Sequence, residues 1–149
     1  MRRIWLISLV FFGVACGEIE RAELSVRPNQ DDFASDVQPL LVSLGCSSPG
    51  GCHDLGLGNV LIKANASAAD LELSFLSVKA QIDREQPEQS RIIQSVLAEN
   101  PTTQHIPAAC ITQGGCAWQK LVAWIAWDGE GDPRPSDIVC DFSAEGCFR

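Results

Sequence analysis

The sequence predicts an all-α fold. Apolar residues recur at helical spacing in four separate stretches, capping or breaking residues stand at their ends, and extended character is confined to one short run before Ile62. Asp31 or Asp32 can cap a first helix whose apolar positions are Phe33, Val37, Leu40, Leu41 and Leu44. Pro39 lies inside that stripe and predicts a kink or a late start, and Gly45 ends the helix. The stretch from Leu55 to Ile62 is turn-rich and then briefly extended. Ser67 opens a second helix to about Ile82, with Leu71, Phe75, Val78 and Ile82 on one face. Asn65-Ala66-Ser67 also fits a glycosylation sequon, but a helix start through Ser67 is the plainer reading. Pro87-Glu88 starts a third helix carrying Ile92, Ile93, Val96 and Leu97, which Asn100-Pro101 stops. Residues 102–115 read as a loop. The last helix runs from Ala117 to Trp127, with Trp118, Leu121, Val122 and Ile125 as its stripe and Trp124 flanking it. Phe33, Phe75, Trp118, Trp124 and Trp127 are expected as core or interhelical contacts, because aromatic rings dominate small cores.

The amino terminus predicts export. Met1-Arg2-Arg3 is basic, and Ile4 to Val14 is an apolar run too short to span a bilayer but suited to a signal-peptide core. Small residues lead directly to Cys16, the pattern of a bacterial lipoprotein signal in which that cysteine becomes the lipidated first residue. Gly13 stands where a leucine is usual, so ordinary cleavage after Ala15 stays open. The expected organisation is a signal peptide over 1–15, a polar tether over 16–30, a helical domain over 31–130 and a tail over 131–149. The expected location is a membrane-anchored lipoprotein facing the periplasm or the cell surface.

Residues 1–15 hold two arginines and no acid, so the mature chain keeps nine basic against nineteen acidic residues. Such a surface argues against nucleic acid and against adsorption to anionic lipid; a lipid on Cys16 tethers without charge. At roughly 130 residues the mature chain suits one domain.

The richest chemistry lies in Cys46-Ser47-Ser48-Pro49-Gly50-Gly51-Cys52-His53. Two thiols followed at once by an imidazole is the order that attaches haem c, with two thioethers and an axial histidine. Five residues separate the thiols where two are usual, and Pro-Gly-Gly gives that loop the backbone freedom to present both sulfurs to one face. The same loop closes equally well as a Cys46–Cys52 disulfide. Cys110 with Cys116 and Cys140 with Cys147 form two more close pairs, and local disulfides are the preferred pairing among the fifteen that six cysteines allow. A zinc site from Cys46, Cys52, His53 and His105 is a weaker rival, since the spacing matches no common module. No hydrolase triad or phosphate loop is recognisable, so an enzyme is not expected.

A helix ending at a Cys-x5-Cys-His loop, then Gly56-Leu57-Gly58-Asn59-Val60-Leu61, then Pro87-Glu88-Gln89-Ser90-Arg91-Ile92-Ile93 and the stretch from Leu121 to Gly129, resembles the c-type cytochrome domains of exported bacterial lipoproteins. The resemblance covers about residues 33–129. It implies a small cytochrome c-like helical fold with terminal helices crossing, disulfide-stapled loops here, covalent haem c on Cys46 and Cys52, and His53 on the iron. It also implies single-electron transfer with redox partner proteins. Met1 is the sole methionine, so a His/Met pair is impossible after signal removal, and His105, in the loop before the last helix, is the expected distal ligand. The alternative is a haem-free structural or binding lipoprotein on the same scaffold, with Cys46–Cys52 oxidised.

Overall fold

The structure, a computed structural model, describes residues 28–47, 53–97, 111–127 and 133–141. Among them the architecture is helical, without a β-strand, as the apolar periodicity predicts. The first helix, α1, starts one turn earlier than the aspartates suggest. Asn29 caps it, its side-chain oxygen accepting from the Asp31 and Asp32 amides at 2.6 and 3.1 Å. The helix continues as Gln30–Asp32, widens into a π-helical stretch over Phe33–Val37, and resumes as Gln38–Ser43. Pro39 explains the widening. Its ring would press on the carbonyl four residues back and it has no amide to donate. The Gln38 amide instead reaches Phe33 O, five residues back, so the helix absorbs the proline without a break.

Pro28 is fully buried, and the Trp124 indole Nε1 donates to Asn29 O at 3.3 Å. Residues 28–30 therefore belong to the folded unit and not to the tether expected through residue 30.

The second helix, α2, is Ala68–Lys79. Ser67 and Asp70 form a reciprocal capping box at its start, so the serine of the sequon is engaged as the helix cap. A 3-10 turn over Pro87–Gln89 and a single helical turn, α3, over Arg91–Gln94 replace the longer third helix expected there. Ser90 separates them with ψ 133°, and its hydroxyl accepts from the Asp83 amide at 2.8 Å. After α3 the chain meets Ile111 in an isolated parallel bridge at Leu97.

The last helix, α4, is Cys116–Ala126. Its buried face is Ala117, Leu121, Trp124 and Ile125, while Trp118 and Val122 are only partly buried. Trp124, beside the stripe in sequence, is a core residue, as its aromatic ring predicts. The apolar band is broad because α4 has two neighbours: the core on one side and the tail on the other, where Pro133 and Ile138 share a cleft with Trp118, Val122 and Ala126.

Phe33 sits at the centre, its ring 5.6 Å from both Phe75 of α2 and Trp124 of α4. Contacts between α1 and α4 run in opposite order, Asn29 and Phe33 at Trp124 and Asp36 at Lys120, so the two helices pack antiparallel.

Two pairings expected from sequence are overturned. Cys116 is bonded to Cys140, with Cα atoms 5.5 Å apart, so Cys116 is not paired with Cys110 and Cys140 is not paired with Cys147. Lys120 shows why. Its Nζ donates to Ile138 O at 3.2 Å and pairs with Asp36 at 2.8 Å. One helical turn from Lys120 back to Cys116 covers about 6 Å, and two extended residues from Ile138 to Cys140 cover about the same. The tail therefore runs antiparallel along α4 and delivers its thiol to the helix start. Among the described residues no helix is long and apolar enough to cross a membrane.

Candidate functional site

The end of α1 places the first thiol. Gly45 takes φ +80°, its amide donates to Val42 O at 2.9 Å, and the Cys46 amide donates to Leu41 O at 3.0 Å. These two bonds form a Schellman motif, whose left-handed position glycine fills without steric cost. The motif turns Cys46 back towards Leu41, and both side chains line one cleft. Cys46 is a free thiol, and burial pushes its pKa up to about 11. At neutral pH it is therefore a protonated, weakly nucleophilic sulfur.

His53 enters the same cleft from a loop bent by left-handed residues: Gly56 and Gly58 at φ +73° and Asn59 at +62°. The His53 carbonyl accepts from the Gly56 and Ile62 amides at 3.2 and 3.0 Å, which closes the loop on itself. Its ring Nδ1 lies 3.1 Å from Leu57 O and 3.3 Å from Val60 O. Carbonyls only accept, so Nδ1 carries the proton in both contacts, and in the neutral ring the lone pair resides on Nε2. That tautomer is the one in which a histidine ligates metal through Nε2, its other nitrogen fixed by a backbone carbonyl.

The remaining walls are mostly apolar. Leu41, Val60, Ile62, Ile92 and Val96 supply them, and Gln81, Arg91 and Ser95 add polar groups. The described walls enclose about 160 Å³. That is below the roughly 300 Å³ at which small-molecule pockets begin, so a planar macrocycle seated here would keep an edge outside the walls.

Of the groups that would hold a covalent haem, the described residues supply one thiol and one imidazole. A reduced thiol, an imidazole with Nδ1 already committed, hydrocarbon walls and one guanidinium converge on one cleft. The structure thus brings together Cys46 and His53 of the residues singled out by sequence. Cys52, His105, Cys16, Cys110 and Cys147 lie outside the described residues, so the second thioether, the distal ligand and the lipid site do too. Among the described residues no three His, Cys, Asp or Glu side chains converge as a metal cluster. Sequence reasoning missed Arg91, Gln81 and Ser95 as cleft residues. An arginine beside the Pro-Glu-Gln-Ser run carried no signal beyond its charge. No family model matches this chain, and no curated protein or solved structure matches it either.

Proposed function

We propose that this chain is an exported, lipid-anchored monohaem c-type cytochrome that passes single electrons between partner proteins. The observation that carries the reading is His53, whose Nδ1 is held by the Leu57 and Val60 carbonyls within a cleft that also receives the free Cys46 thiol. The Phe33–Trp124 contact between the first and last helices agrees with the cytochrome c-like scaffold.

In this reading Cys46 and Cys52 form thioethers. Cys46 and Cys52 would hold the group covalently, each thiol supplying both the sulfur and the proton that addition to a vinyl group takes up. No oxidant or reductant enters. His53 would offer Nε2 as the iron ligand, and the two carbonyls on Nδ1 fix the ring plane and would raise the basicity of that nitrogen. Leu41, Val60, Ile62, Ile92 and Val96 exclude water from the ring face. Haem held there supplies a one-electron couple, and an exposed edge gives a partner its point of approach. His105 is the proposed distal ligand, and a lipid on Cys16 the proposed anchor.

Expression with a haem-maturation system tests the proposal. Haem should survive acid-acetone extraction and denaturing electrophoresis, and His105→Ala should leave it attached while converting the iron from low to high spin. An apo mass with Cys46 and Cys52 joined as a disulfide would sink the cytochrome reading in favour of a haem-free lipoprotein.

A further inference from the structure

A second, polar pocket lies where the end of α1, the loop over 63–65 and the start of α2 meet, and its polar lining includes Ser47, Asp54, Lys63, Asn65 and Asp70. It adjoins the candidate site through the chain, since Ser47 follows Cys46 and Asp54 follows His53. Ser47 is only 3% exposed, yet its hydroxyl bonds to no described residue. Two more oxygens lack partners on the helices that frame the pocket. Gln38 of α1 donates through Nε2 to Lys63 O at 2.6 Å, while its Oε1 is buried with no partner. Ser74 Oγ, one turn after Asp70 on α2, is also buried with no partner. Buried polar atoms are nearly always paired, so unmet oxygens on these elements point to a bound species that meets them. Charge says which kind. Hydrogen bonds from Ser67, and after them the charge of Lys63, hold the Asp70 carboxyl below the usual range, so it is an anion at neutral pH. Two carboxylates against one ammonium leave the described lining net negative.

We propose that this pocket is a calcium site, with Asp54 and Asp70 as charged ligands and Ser47 and Asn65 as neutral ones. The inference goes beyond the cytochrome reading and does not depend on it. Calcium takes roughly six to eight oxygens in flexible geometry, and amide, hydroxyl and water oxygens serve beside carboxylates. At about 280 Å³ the pocket has room for the ion and several waters, each needing roughly 30 Å³. Two carboxylates are few for calcium. That places the site with weak extracellular ones, whose dissociation constants are on the order of 10⁻⁴ to 10⁻³ M. Lys63 is the competing cation, and its ammonium turns to water when the ion enters. Bound there, the ion ties the residues that follow Cys46 and His53 to the capped start of α2.

Calorimetric titration of the full-length protein with calcium chloride tests the proposal, with magnesium chloride as the comparison. One calcium ion should bind per chain, and Asp54→Asn should weaken it about tenfold or more. Lys63→Gln should tighten it several-fold, a gain that a merely structural lysine would not produce. Magnesium should bind about tenfold more weakly, because it sheds its waters reluctantly and demands near-octahedral ligands. If Asp54→Asn does not fold, Lys63→Gln decides: tighter binding supports the site, and unchanged binding overturns it. No calcium uptake by about 10 mM, well above the weak extracellular range, overturns the proposal. Equal affinity in all three proteins places the ion on other carboxylates and overturns it too, and equal affinity for both metals overturns the assignment to calcium. A chain that binds calcium as stated but takes up no haem overturns only the cytochrome reading.

Discussion

At the junction of α4 with the tail, a disulfide, an ion pair and a lysine-to-carbonyl hydrogen bond converge on the first turns of one helix, Cys116 to Lys120. Around His53, by contrast, the ties are backbone carbonyls and left-handed loop residues, and the side chains face an open cleft. Polar groups at the junction spend their bonding capacity on one another. Those of the cleft are oriented but leave a donor-rich, apolar surface for a ligand. The contrast separates two kinds of measurement: damage to the junction should appear in stability, and damage to the cleft in ligation.

The largest effect should come from the disulfide. Replacing Cys116 and Cys140 by Ser frees a loop of 24 residues, which the chain-entropy estimate values at about 3 kcal/mol. Calorimetry should show Tm falling by roughly 10 °C, with little change in any haem spectrum. A peptide map joining Cys116 to Cys110 in the exported protein would contradict the fold described here.

Next comes Lys120. The pair with Asp36 is largely shielded, each side chain 13% exposed. Lys120→Met should cost about 2 kcal/mol, between the values for surface and buried pairs. Burial opposes ionisation of Asp36, but hydrogen bonds from Lys120 and Ser35 outweigh it and hold its pKa below the usual carboxylate value. A depressed folded pKa contributes stability above the unfolded value and loses it as pH falls through the folded one. The gap between wild type and Lys120→Met should therefore close below about pH 4, as followed by urea titration at several pH values. Asp32 has the opposite sign, since burial and the nearby Asp36 raise its pKa. Protonation of Asp32 favours the fold as pH drops, and Asp32→Asn would isolate the Asp36 limb. A gap independent of pH would show that Asp36 contributes nothing through its charge.

The smallest stability effect lies at the cleft. Gly58 has φ +73°, and a Cβ there would sit 3.8 Å from His53 Cε1, an ordinary contact. Gly58→Ala should thus cost only the left-handed backbone penalty, about 1 kcal/mol. It also stiffens the loop that orients Nδ1, so ligand-field bands should shift while Tm barely moves. A large Tm loss with unchanged bands would invert the comparison.

Much of this was legible in the residues themselves. Ser67 announced α2 through its box with Asp70, and Gly45 announced both the end of α1 and the placement of Cys46, because these are local backbone requirements. Cysteine pairing was not legible. Proximity in sequence favoured Cys110–Cys116, but the partner of Cys116 is chosen by which chain lies along α4, and that is settled by Lys120 reaching Ile138 and Asp36. The exact buried face of α4 was only partly legible for a related reason. A helix with two covers shows one wide apolar band, and its centre says nothing of which edge meets the core. In the candidate site, Cys46 and His53 announced themselves by spacing. Arg91, Gln81 and Ser95 did not, since nothing local in the sequence places them at this cleft.

The bond from Trp124 Nε1 to Asn29 O joins residues 95 apart in sequence. Long-range closure of that kind comes late, because the entropy of a large loop must be overcome before its contacts form. A chain synthesised amino-terminus first presents Cys46 and His53 long before Trp124 is there to dock on Phe33. In that interval the thiol that later titrates at about 11 is still in water and reactive. Cys46 is thus most reactive before α4 packs and the core closes around it.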